Sequence, residues 1–276
     1  MIKVAVYCCA LMLLLVSCTD KYDMPLNAES TKLVVFGEIT TDTMAHRIKL
    51  TRTTEFYTKD PAIAISNAQV TIHNGTSVIS LSESPDEPGA YYTLDNYYGE
   101  EGKHYVLFIS NVDVNNDGIT EFYEAESTMP VSGDVYGLFL SRIDFGQQFR
   151  GWGVHLLAAD PVSTDFYRFL VYKNGKLLSD SIMEWTIQDD LLFNGSFING
   201  PMVNMLSEDK AEERLRPGDI VTLEVNYITK DFFNYIYQIR EVRFQNPFIG
   251  GPPANVLTNI SNGAVGIFTT YSVKRI

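Results

Sequence analysis

Asp113-Val114-Asn115-Asn116-Asp117-Gly118, followed by Glu124, comes closest to metal-binding chemistry in this chain. Its oxygen donors fall at positions 1, 3 and 5 of a twelve-position calcium loop, Gly118 at position 6 allows the sharp turn, and Glu124 stands at position 12. That loop is ordinarily set between helices, whereas the flanking segments here alternate like strands. Two readings stand. One is a Ca²⁺ site made by Asp113, Asn115 and Asp117 without Glu124; the other is a plain hairpin tip whose Asn and Gly residues supply left-handed turn positions. Ca²⁺ is the one cofactor the sequence offers. His46, His73, His104 and His155 are scattered, with no second His or Cys at zinc spacing, so they read as structural. There is no Gly-x-Ser-x-Gly elbow, phosphate loop or His-Glu-x-x-His element, and the expectation is a protein that is not an enzyme. Tyr91-Tyr92 and Tyr97-Tyr98 are recognition candidates, because neighbours on a strand face opposite ways and exposed tyrosines offer rigid rings with a polar end. The expectation is a binding edge formed by Tyr91, Tyr92, Tyr97 and Tyr98. Its alternative puts one ring of each pair in the core and the other over a loop.

A second kind of chemistry sits at the start of the chain. Lys3 precedes the apolar run Val4 to Leu15 and then Leu15-Val16-Ser17-Cys18. A charged start, a short apolar run and a small residue before the cut make a secretory signal, and the run is too short for the roughly 20 residues that span a bilayer. Leu-Val-Ser-Cys resembles the bacterial lipobox, in which the thiol is acylated. The chain's three cysteines are Cys8, Cys9 and Cys18, so no disulfide survives processing and Cys18 is left to carry lipid. Residues 1–17 are thus expected to be a signal peptide and 18–30 a lipidated tether.

The elements that must position these groups are mostly strands. The chain is 45% apolar with 16 Tyr and 16 Phe, a globular composition. Its formal charge is −13, concentrated in the first half, where residues 20–130 hold 18 acids against 7 bases. Such a surface repels phosphate backbones, so nucleic acid is not an expected partner. Short strands are expected at Leu33 to Ile39, Arg47 to Thr53, Ala68 to His73, Ser77 to Leu81, Ala90 to Leu94, His104 to Ser110 and Phe122 to Thr128. Their spacing predicts an antiparallel sandwich over 31–130, ending at Met129-Pro130. A second β-rich, α+β domain follows over 131–276. Its strands are expected at Val135 to Arg142, Gly153 to Ala158, Phe166 to Tyr172, Trp185 to Ile187, Ile220 to Ile228 and Val265 to Val273, with a short surface helix at 207–216. Phe232, Tyr235, Ile236, Ile239 and Val242 share one helical face, which predicts an amphipathic helix near 230–244 stopped by Asn246-Pro247.

Several of these pieces recur in a fixed order: the lipobox cysteine, Leu33-Val34-Val35-Phe36-Gly37-Glu38-Ile39-Thr40, His46 to Thr53, Asn67 to Ile72, Gly102 to Tyr105, Met129-Pro130, Pro247-Phe248 and Asn259 to Phe268. Together they resemble the Bacteroidetes outer-membrane lipoproteins grouped as domain of unknown function 4249. The resemblance implies an immunoglobulin-like first domain, a lipid anchor in the outer membrane on its periplasmic or cell-surface face, and a TonB-dependent transporter as partner. It supplies no catalytic residues. A stand-alone surface adhesion or scaffold lipoprotein is the alternative.

Overall fold

Alternation of apolar and polar residues builds most of the strands, and the structure, a computed structural model, describes residues 31–53, 62–244 and 256–276, with helix side chains followed to Glu241. The first half holds Leu33–Thr40 (β1), Arg47–Arg52 (β2), Ile63–Ala64 (β3), Gln69–His73 (β4), Val78–Ser80 (β5), Ser82–Glu83 (β6), Ala90–Tyr92 (β7), His104–Val112 (β8) and Glu121–Thr128 (β9). All seven expected strands are present, with β3 and β6 as two-residue additions. One face of β1, β2, β4 and β8 is buried residue by alternate residue, as a single-sided core requires. β5-β4-β8-β9 form one antiparallel sheet, and β1, β2, β7 and β6 belong to another. Leu33, Val35, Ile48 and Leu50 from the second meet Val70, Ile72, Leu107 and Ile109 from the first in one core. Two sheets closed over shared apolar side chains are a sandwich.

The second half holds Val135–Asp144 (β10), Arg150–Ala159 (β11), Phe166–Lys173 (β12), Lys176–Leu177 (β13), Thr186–Asp189 (β14), Phe197–Ser207 (β15), Val221–Ile228 (β16) and Val265–Arg275 (β17), with Lys230–Phe244 (α1) the one helix among the described residues. β15 was not legible in the sequence, since Gly200-Pro201 reads as a break. The strand runs through it because pairing with β11 shifts register on both sides of His155 and leaves the proline in an irregular stretch at a sheet edge. The short helix expected at 207–216 does not form. Lys210 O closes one turn onto the amides of Glu213 and Arg214, and Glu208 to Glu213 carry no apolar stripe whose burial would offset helix nucleation.

β10-β11-β15 form a three-stranded sheet that packs Val154, Leu156 and Ile198 on Tyr167, Phe169, Leu223 and Val225. The opposite face of the long sheet is covered by α1, whose Phe232 and Ile236 are buried against Ile267 and Tyr271. Thr229 caps this helix, its Oγ1 accepting the Phe232 amide at 3.2 Å. Phe232, Tyr235 and Ile236 keep the expected inward face and Ile239 is half-buried; the Val242 side chain and the expected stop at Asn246-Pro247 lie outside the described residues.

The long sheet does not break at Met129-Pro130, where a division was expected, and the first core also takes in Ile260, Ala264 and Phe268 from beyond it. β13-β12-β16-β17-β1-β2-β7-β6 is one hydrogen-bonded path through both halves, and Thr31–Ile276 is one compact unit. The join is β17, parallel to β1 from Val34↔Val265 to Thr40↔Tyr271 and antiparallel to β16. A side chain at Gly266 (φ 107°) would place its Cβ 1.9 Å from Val35 O, so the close approach of the two strands requires glycine there. Among the described residues no helix is long and apolar enough to cross a membrane.

Candidate functional site

The residues singled out in the sequence do not converge. Cys18 lies outside the described residues. In the Asp113 loop the donors are engaged by their own backbone: Asp113 accepts the amides of Asp117 and Gly118 at 3.1 and 2.9 Å, and Asp117 accepts that of Ile119 at 2.8 Å. Asn116 (φ 60°) and Gly118 (φ 85°) take the left-handed positions of a hairpin tip. Glu124 sits on β9 opposite Phe108, and the guanidinium of Arg52 donates to Val114 O at 3.3 Å, placing a cation beside the loop. The four tyrosines do not make one edge. Tyr91 is buried, donating to Ile65 O and accepting the Ala68 amide, both at 2.9 Å; Tyr97 packs on the same core. Tyr92 donates to Glu87 at 2.9 Å, and Tyr98 is exposed. Each pair is therefore split, Tyr91 from Tyr92 by strand alternation on β7 and Tyr97 from Tyr98 within the loop that follows it.

A different constellation gathers on the α1 side of the long sheet. Arg168 on β12 is 3% exposed, a buried charge that must be compensated. Its Nε donates to Asn226 Oδ1 at 2.9 Å, and Nη1 lies 3.5 Å from Glu38 Oε1. Its guanidinium lies 4.4 Å from the Trp185 ring centre, 4.6 Å from Tyr271 and 5.4 Å from Phe232. Burial opposes the charge on Arg168, but Tyr271, Glu38 and Glu224 together hold its pKa above the ordinary value. Beside it, Glu224 accepts from Tyr172 at 3.0 Å, Arg275 at 2.8 Å and Asn226 at 2.9 Å, while Arg275 forks onto Asp42 at 2.8 and 2.6 Å. The Asp42 hydrogen bond raises the Arg275 pKa further. His46, buried at the same end, is pushed down by desolvation and so stays neutral at pH 7. These groups floor and wall a cleft of about 490 Å³. The sequence holds a signal for it: Arg168, Glu224 and Asn226 interrupt otherwise apolar strands, where a charge is almost never buried unless paired.

A second cluster joins three loop ends. Asp160, Asp165 and Asp190 are all buried, with one carboxylate oxygen of each within 4.8 Å of the others. Each has hydrogen bonds from the chain: Gly195 N to Asp160 at 2.8 Å, Ser163 Oγ to Asp165 at 2.9 Å and Asp165 N to Asp190 at 2.8 Å. Among the described residues no basic side chain pairs with them. Burial and the neighbouring acids push Asp165 up to about 6. A carboxyl whose folded pKa exceeds its unfolded value of about 3.9 stabilises the fold below that value, and the contribution is lost as pH rises through about 6. Asp165→Asn should therefore flatten the stability profile between about pH 4 and 6 and raise stability at pH 7.5 by about 1–2 kcal/mol, after discounting for solvent screening. Urea unfolding across pH 4–8 checks this; a variant less stable than the parent at pH 7.5 contradicts it.

The third feature is the outer face of β10-β11-β15. Tyr136, Phe139, Phe197, Met202 and Met205 are each between 43% and 58% exposed. Phe139 stacks on His155 (4.6 Å, 3° between planes), and Tyr136 lies 5.8 Å from Phe197. Gly153 and Gly200 make the face flat, since a Cβ at either would strike Met202 or Phe139 within 3 Å. β10 is an edge strand, and among the described residues its outer side makes no backbone hydrogen bond.

A search of the curated proteins finds no match to this chain. A family model does match, over residues 19–276, nearly the whole length: the chain belongs to the family described as Domain of unknown function (DUF4249).

Proposed function

We propose that the protein is a lipid-anchored, non-enzymatic accessory of the outer membrane that docks on a TonB-dependent transporter and helps it to capture a ligand. The outer face of β10-β11-β15 carries this reading. Monomeric proteins rarely leave several aromatic and methionine side chains contiguous and exposed, and such patches mark contact with a partner. The open edge of β10 adds a second handle, because an unpaired strand can accept an extended segment of another chain. The lipobox supports the location. A lipid on Cys18 would confine the protein to two dimensions, so a modest patch suffices for a membrane neighbour at high effective concentration.

The test is Phe139→Ser combined with Phe197→Ser in the full-length lipoprotein, isolated by affinity from native membranes. Both side chains are substantially exposed, so thermal unfolding should move by no more than a few degrees. The amount of co-isolated transporter should fall at least tenfold, with the variant still in the membrane fraction. Undiminished recovery of the transporter would refute the docking face. Loss of a partner that is not a transporter would replace the proposed role with that of a surface scaffold.

A further inference from the structure

We infer that the cleft over Arg168 is a binding site for a small organic cation, an amine or guanidine carried on a short apolar chain. The inference is independent of the docking face, which lies on the other side of the long sheet from this cleft. Three observations converge on it. First, the cage already performs this chemistry on the protein's own side chain: Trp185 and Tyr271 hold the Arg168 guanidinium at 4.4 and 4.6 Å, a distance at which ring quadrupoles attract a cation. Trp185 also lines the cleft, together with Tyr172 and Tyr92. Second, the charges lining the cleft do not cancel. Four acids line it, Glu38, Asp42, Glu224 and, at the exposed rim, Asp180, against the three arginines Arg47, Arg168 and Arg275, and with His46 neutral one negative charge is left in excess. Third, Glu38 has acceptor capacity to spare. Among the described residues its one hydrogen bond is the long 3.5 Å contact from Arg168, its side chain is 27% exposed, and a carboxylate can accept about four. A cation entering the cleft would meet Glu38 directly, stack on the aromatic wall and neutralise the surplus. An anion would meet that surplus, and a neutral polyol would leave it uncompensated.

The volume of about 490 Å³ suits a ligand of roughly amino-acid size, within the range of small-molecule pockets. Agmatine is the probe, with glucose and citrate as neutral and anionic controls, measured by calorimetry on the full-length lipoprotein in detergent. Agmatine should bind in the millimolar range or better, with the controls at least tenfold weaker. Glu38→Gln should weaken agmatine at least tenfold. Asp180→Asn, a substitution at the rim, should fold normally and weaken agmatine about threefold, so the inference stays testable should Glu38→Gln unfold. Absence of agmatine binding, equal or tighter binding of glucose or citrate, or agmatine binding unchanged in Asp180→Asn and in a folded Glu38→Gln would each overturn it.

Discussion

A chain terminated after Ala264 is expected not to fold. Only twelve residues are removed, yet they comprise β17, which lies between β1 and β16 in the long sheet. Ile267, Phe268 and Tyr271 are buried, and each contributes roughly 1.5–3 kcal/mol through burial. Ile267 and Tyr271 serve the core under α1, and Phe268 serves that of the first sandwich, so one truncation opens both. It also strips the pairing partner from one edge of β1 and one of β16, leaving buried amides and carbonyls unpaired at further cost. Against a total stability of about 5–15 kcal/mol, the loss leaves no margin. Circular dichroism of the truncated chain should show a strand signal that is weak and lacks a cooperative thermal transition. A sharp transition within ten degrees or so of the parent's would mean that β17 is an appendage and that the sandwich stands by itself.

Replacing Arg168 with alanine is expected to be the most damaging single substitution among the polar residues. It removes the counter-charge from Glu38 and weakens the support of Asn226, and it empties the space between Trp185 and Tyr271. Breaking a buried ion pair by deleting one member costs about 3–5 kcal/mol, and for a chain of this size each kcal/mol lowers the melting temperature by about 2–4 °C. A drop of about 10 °C is therefore expected. Arg168→Lys retains the charge without the planar fork and should fall between the two. Combining Arg168→Met with Glu38→Gln removes both charges and should recover part of the loss, the non-additivity that a coupled pair must show. Thermal unfolding of these variants beside the parent and the single substitutions Arg168→Met and Glu38→Gln measures it. A melting temperature within 2 °C of the parent for Arg168→Ala would show that the guanidinium is no part of what holds the sheet to α1.

Much of the architecture was readable because its signals are local. The strands of the first half repeat with period two, and α1 repeats at helical spacing behind the Thr229 cap, so both follow from residues close together in the chain. β15 was hidden by Gly200-Pro201, a pair that breaks a regular strand but is accommodated where the register slips. The pairing of β1 with β17 was hidden for another reason: alternation reveals which face of a strand is buried, never which strand lies beside it. The same limit concealed the cleft. Glu38, Arg168, Glu224 and Arg275 come from four strands, and only the strand order makes them neighbours. The tyrosine edge does not form because Tyr91 on β7 and Tyr97 in the loop after it both turn into the first core, which alternation within each pair does not reveal.

The parallel pairing of β1 with β17 also governs the order of events during biogenesis. Of the described strands, the first to be synthesised cannot complete its ladder until the last has arrived. Loop-closure entropy has to be met before that contact gives any return, and topologies of this kind fold slowly. In the interval the unpaired flank of β1 is exposed to aggregation, which makes the incompletely folded chain a natural client for holding chaperones.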